Sequence, residues 1–129
     1  KDKTVKFLQI WVFPNKKNVT PRYDQISLND ANSKNKLQQI LSPDKEDAGV
    51  WIHQDAWFHI GKFENGFSTT YKIKKAGNGV YIFVLKGNVS IDGNKMNERD
   101  GLGIWDITSL SIKADSETEL LLMEVPMTI

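Results

Sequence analysis

The chain contains no cysteine. That excludes disulfides, thiolate metal sites and a cysteine nucleophile together, and it is compatible with a cytoplasmic location. Histidine is nearly as scarce: His53 and His59 are the only two. No apolar run approaches the roughly 20 residues that span a bilayer, so no membrane partner is expected. Charge of one sign is lacking too. Lys and Arg number 17 against 16 Asp and Glu, and nucleic-acid binding usually leaves a clustered basic footprint, so no nucleic-acid partner is expected. The pairs Lys16–Lys17 and Lys74–Lys75 are too short for a binding patch and read as solvated turns. No glycine cluster sits ahead of a helix to cradle a phosphate. Thr108, Ser109 and Ser111 have no histidine nearby to complete a triad.

What is present is a β pattern. At 129 residues, 40% of them hydrophobic, the chain fits one domain with its own core. Short apolar or alternating runs are separated by turn chemistry. The runs are "VKFLQIWVF" (5–13), "KLQQILS" (36–42), "VWIHQ" (50–54), "DAWFHIGKF" (55–63), "STTYKIK" (68–74), "VYIFVLKG" (80–87), "NVSI" (88–91), "LGIWDI" (102–107), "LSIKA" (110–114) and "TELLLMEVPM" (118–127). Residues 18–35 are polar and read as a long irregular connection. Asp92-Gly93 signals a type I′ hairpin, with "DGNK" as its turn and "KMNERDG" as a connection. The last run is almost continuously apolar, as expected of a strand covered on both faces. About ten short strands without a helix predict an all-β fold, a double-sheet jelly roll or small barrel, which protects its sheet edges.

Candidate sites in these strands are few. On one extended strand His53 and His59 would share a face yet stand roughly 20 Å apart. A tight turn at Asp55-Ala56-Trp57, which could bring them together, lacks Gly, Pro or Asn, and no third ligand is evident. The pairs Glu46–Asp47 and Glu98 with Asp100 lie in polar turns and are expected to be solvated, with ordinary pKa values. The strand aromatics Trp51, Trp57, Phe58, Tyr71, Tyr81, Phe83 and Trp105 either fill the barrel or line a pocket in its mouth. The pocket version comprises Trp57, His59, Tyr71, Tyr81, Phe83 and Trp105, with Asp106 as a further polar group.

Two segments carry a family resemblance. "FLQIWVFPNKKNVTPRYDQ" (7–25) resembles the hinge of pirin-like proteins, where a Gln-Ile-Trp strand and a proline lead to Pro-x-Tyr; here these are Gln9, Ile10, Trp11, Pro14, Pro21 and Tyr23. "HQDAWFHIGKFENG" (53–66) resembles the same family's Gln-Asp-Ala strand and its following turn. "GVYIFVLKGNVSIDG" and "ERDGLGIWDI" are similar to its two barrel motifs. The resemblance implies a two-cupin parent of the bacterial quercetinase type, a quercetin 2,3-dioxygenase-like oxidoreductase. A divalent metal (Fe, Ni, Mn, Cu or Zn) sits on His and Glu ligands in the N-terminal cupin of such a protein. This chain, residues 1–129 with 1–25 as hinge strand and connection, resembles the C-terminal cupin, which implies a cupin-type double-stranded jelly-roll β-barrel, and its start at Lys1 suggests a domain from a longer polypeptide.

The departures from a metal cupin are specific. The first motif offers Asn78, Gly79, Val80 and Tyr81; its acidic position falls on Lys86; the second motif has no His. First-row metals need imidazole or carboxylate donors, and an ammonium has no lone pair to give. The expectation is therefore a chain with no catalytic, cofactor-binding or metal-ligating residues of its own. Its partner would be the N-terminal cupin of the same polypeptide, with self-association as a further expectation. The alternatives are a flavonoid- or sugar-binding module, or a cupin enzyme with a non-standard site in the barrel.

Overall fold

The structure is a computed structural model that describes residues 8–15, 24–28 and 34–127. Among these there are ten strands and no helix, so none is long and apolar enough to cross a membrane. In chain order they are β1 (Leu37–Ser42), β2 (Val50–Trp51), β3 (Trp57–Phe63), β4 (Ser68–Lys72), β5 (Gly79–Lys86), β6 (Val89–Ile91), β7 (Asn94–Met96), β8 (Gly101–Ile104), β9 (Ser109–Ala114) and β10 (Thr118–Val125). They form a six-stranded sheet, β2-β1-β3-β10-β5-β8, and a four-stranded sheet, β4-β9-β6-β7. All pairings are antiparallel except β1 with β2.

The side-chain period of two decides which residues fill the interior. On β10, Leu120 and Leu122 point inward, opposite Val84 and Ile82 of β5. The facing sheet answers with Leu110, Ile112 and Ala114 of β9 and with Val89 and Ile91 of β6, all buried in one cluster. The other parity of β10, Leu121 and Met123, lies on the outer face of the larger sheet. There it joins Phe58 and Ala56 in a second, smaller cluster, with Val12 packed against it. β10 is thus covered on both faces, and its near-continuous apolar sequence follows from that.

The Asp92-Gly93 hairpin forms as its chemistry requires. Asp92 has φ of 47° and Gly93 of 84°, both positive as type I′ demands, and they join Ile91 to Asn94 across β6 and β7. Residues 94–96, expected as turn and connection, are therefore a strand. The expected first strand does not form in its described part. Residues 8–14 have no ladder partner and instead lie along the outer face, tied by Asn15 N–H to His53 O at 2.6 Å and by Gln54 Nε2 to Phe13 O at 3.0 Å. The rest of that expected strand, and Pro21 and Tyr23 of the hinge, lie outside the described residues. So do Lys16 and Lys17.

Candidate functional site

β3, β4 and β10 bring a polar group to one end of the barrel. In the β3–β10 ladder Trp57 lies opposite Glu124, and His59 opposite Leu122, so Trp57, His59 and Glu124 share the inward side. Tyr71 of β4 faces them from the other sheet. Its ring meets the His59 ring edge-on, with centroids 5.2 Å apart. Glu124 has no exposed surface, and a buried carboxylate is tolerable only when hydrogen-bonded. Its Oε1 accepts from Tyr71 Oη at 2.6 Å and from Lys74 N–H at 2.9 Å. Its Oε2 accepts from Asn78 Nδ2 at 2.8 Å, Lys75 N–H at 3.0 Å and Lys74 N–H at 3.1 Å. Every partner donates, which matches a group that only accepts when ionised.

The two titratable groups beside Glu124 are strongly displaced. Burial, reinforced by the hydrogen bond to Glu124 and by its charge, pushes the Tyr71 phenol far above its usual range, so it remains a donor. Burial, with repulsion from Lys74, lowers His59 to about 4; Glu124 and Asp47 oppose that shift and do not overcome it. The His59 Nδ1 is buried without a hydrogen-bond partner. Asp47, expected at an ordinary pKa, lies below it. The Gln39 side chain and the Ala48 N–H, 2.9 Å from its Oδ1, hydrogen-bond to its charged form.

The six aromatic and imidazole residues considered for a pocket do not converge. Trp57, His59 and Tyr71 face the interior. Tyr81 and Phe83 lie on the opposite parity of β5, across from Met123 and Leu121, and Tyr81 is 43% exposed. Trp105, expected on a strand, follows the end of β8 and is exposed, as is Asp106. The two histidines are separated by the local chain path. Ala56 N–H bonds to Gln54 O at 2.8 Å, a three-residue turn and not a hairpin over Asp55-Ala56-Trp57, and His53 packs edge-on against Trp51. β2, which precedes that turn, pairs with β1 rather than β3, so the turn does not set His53 opposite His59.

The residues present do not fit a transition metal. Among the described residues no three His, Cys, Asp or Glu side chains group as ligands. At the positions a metal cupin uses, Val80 is buried in the apolar core. Asn78 is committed to Glu124. Lys86 ends β5 at the surface with its ammonium 3.9 Å from Glu117. A separate surface depression of about 300 Å³ lies near the far end of β3, bordered by Lys34, Lys62, Glu64, Glu117 and Glu119; its charges are mixed in sign.

Glu124 was the residue that pattern reading missed. It follows the apolar run of β10, with the same parity as Leu120 and Leu122, whereas Glu119 on the same strand has the opposite parity; a carboxylate at an inward position is itself the signal.

Comparison with known proteins agrees with this geometry. Residues 39–125 match the family model described as the quercetinase C-terminal cupin domain. A quercetin 2,3-dioxygenase of Escherichia coli K12 is 39% identical over 118 residues, 92% of this chain and 49% of that protein. The crystal structure of YhhW from Escherichia coli superposes with a TM-score of 0.82 at 37% identity, over 90% of this chain and 48% of the other. The bacterial pirin YhhW in complex with nickel(II) gives 0.79 at 37% identity, over 88% and 47%. The chain spans about half the length of the curated relatives it matches. An all-β jelly roll with that family match over residues 39–125 belongs to the C-terminal cupin domains of the pirin-like, quercetinase-type proteins.

Proposed function

We propose that this chain is the metal-free C-terminal cupin of a quercetin 2,3-dioxygenase-type protein, and that it stabilises and shapes a metal-binding cupin that precedes it. The observation that carries the reading is on the outer face of the six-stranded sheet. Residues 8–15 cross that face and bury Val12 against the second apolar cluster, yet they leave Trp11 82% and Phe13 80% exposed. Large aromatics exposed side by side mark a surface that another body covers, and such residues dominate interface energetics. The donor set of the barrel supports the same reading, because the one buried carboxylate among the described residues, Glu124, is saturated by protein donors.

In this reading the divalent metal and the oxidative chemistry belong to the preceding cupin. The chain contributes an apolar docking face and a rigid, filled barrel. The test is a double substitution, Trp11→Ala with Phe13→Ala, in the two-cupin polypeptide. The expected result is retention of this domain's own β-sheet signal, with a lowered melting temperature for the preceding cupin and faster loss of its metal to a chelator. Unchanged melting and metal retention would refute the companion role. One tightly held equivalent of Fe, Ni or Mn on the isolated chain would refute the metal-free assignment.

A further inference from the structure

Residues 73–78, between β4 and β5, cross the Trp57 end of the barrel as a short strap. Its entry is fixed: Ile73 N–H bonds to Thr108 O at 2.9 Å, and the Ile73 side chain packs on the core. Its exit is fixed where Asn78 is buried. Between these ends Lys74, Lys75, Ala76 and Gly77 are exposed. The apex projects freely, since a Cβ on Gly77 (φ of 91°) would meet nothing within 4 Å. Between Ile73 and Asn78 the strap therefore buries almost no apolar surface, and polar tethers must hold it there. Three of them converge on one carboxylate: Lys74 N–H, Lys75 N–H and Asn78 Nδ2 all donate to Glu124. A lateral tether joins the Lys75 ammonium to Asp55 at the surface, and Asn78 Nδ2 also reaches Asp55 O at 3.2 Å. On the barrel side of Glu124 lie Tyr71 and His59, each 5% exposed, with the His59 Nδ1 unpartnered.

We propose that Glu124 is a latch that keeps this strap closed over His59 and Tyr71, and that releasing it opens this end of the barrel while the two sheets stay intact. Without the carboxylate, Lys74 N–H and Lys75 N–H lose their acceptor. Donors left without an acceptor turn to water, and the exposed strap that carries these two lifts away from β10 as they do so. The lift uncovers an imidazole whose Nδ1 has no hydrogen-bond partner when covered, so opening satisfies that atom. Tyr71 also bonds Glu124 but stands on β4, not on the strap, so its hydroxyl should be dispensable for closure. The latch does not depend on the companion-domain reading, because every group in it belongs to this barrel.

The experiment uses diethyl pyrocarbonate on the full chain, with modification of each histidine read by mass spectrometry and His53 as the internal reference. In the unsubstituted protein His59 should react about tenfold more slowly than His53, as for a group reached only through local opening. In Glu124→Ala that protection should be lost, and in Tyr71→Phe it should persist. Hydrogen exchange on Glu124→Gln gives a second reading for the case in which the alanine variant does not fold. There the Lys74 and Lys75 amides should exchange about tenfold faster, with the β10 amides unchanged. A folded Glu124→Ala with His59 still protected would overturn the latch. Equal exposure in Tyr71→Phe would also overturn it, as would exchange in Glu124→Gln that is unchanged or faster across the whole barrel.

Discussion

Acidification should weaken this fold through His59 before it acts on the surface carboxylates. In the folded barrel the His59 imidazole is lowered from its ordinary 6.5 to about 4, chiefly because burial disfavours the imidazolium. The unfolded chain takes up this proton as pH falls through about 6.5, and the native state resists until about 4. The contribution to stability is complete above that upper value, declines between the two, and levels off below the lower one. At about 1.36 kcal/mol per unit, the full loss is about 3 kcal/mol, and about 2 kcal/mol of it is gone by about pH 5. That is a large share of a domain's usual margin of about 5–15 kcal/mol.

The groups that bear on His59 fix the sign. Lys74 adds to the depression, while Glu124 and Asp47 oppose it without reversing it. Urea unfolding across the acid range, on the unsubstituted chain and on His59→Gln, isolates the His59 contribution. Gln cannot titrate, so every other group cancels in the difference between the two curves. From neutral pH to about pH 5 the unsubstituted protein should lose about 2 kcal/mol more than the variant. Parallel curves would show that His59 is either solvated or charged in the native state, and the burial argument would fail.

Two further outcomes test backbone and core. Gly87→Ala should destabilise by about 2 kcal/mol or more, because Gly87 has φ of 84° and its Cβ would fall 2.1 Å from Glu117 O. Gly93→Ala, at the same φ but with nothing within 4 Å, should lose only the conformational term of about 1 kcal/mol; equal losses by urea denaturation would refute the contact argument. Leu122→Ala, on the inward face of β10 at 0% exposure, should lower stability by about 2–5 kcal/mol. A loss under about 1 kcal/mol would mean that this face is not the core.

The architecture was legible because period and punctuation agree along most of the chain. β9 shows the reason: its burial alternates strictly, so "LSIKA" could occupy only one register. The hairpin was legible because both of its positive φ values fall on Asp92 and Gly93, residues that tolerate them. Residues 8–13 misled for a physical reason. Their apolar, β-branched and aromatic content fits either a strand or a segment laid flat on a sheet face, and composition does not distinguish a ladder partner from a packing partner.

The candidate site was less legible because it depends on parity across strands distant in sequence. Tyr71 and Glu124 are 53 residues apart, and only the β3–β10 and β4–β9 registers bring them to one end. Tyr81 and Trp57 look alike as strand aromatics, yet one register places Tyr81 beside Met123 on the outer face and the other places Trp57 beside Glu124 inside. Scarcity of ligands directs attention away from a metal centre, and it also hides the group that occupies this end of the barrel. A metal site needs several acidic or imidazole residues, whereas a carboxylate saturated by backbone and amide donors needs only one. Glu124, one of two glutamates on β10, is easily taken for an edge residue. It is distinguished by sharing the parity of Leu120 and Leu122, since a charge on the buried parity of a central strand must have its donors supplied by the fold.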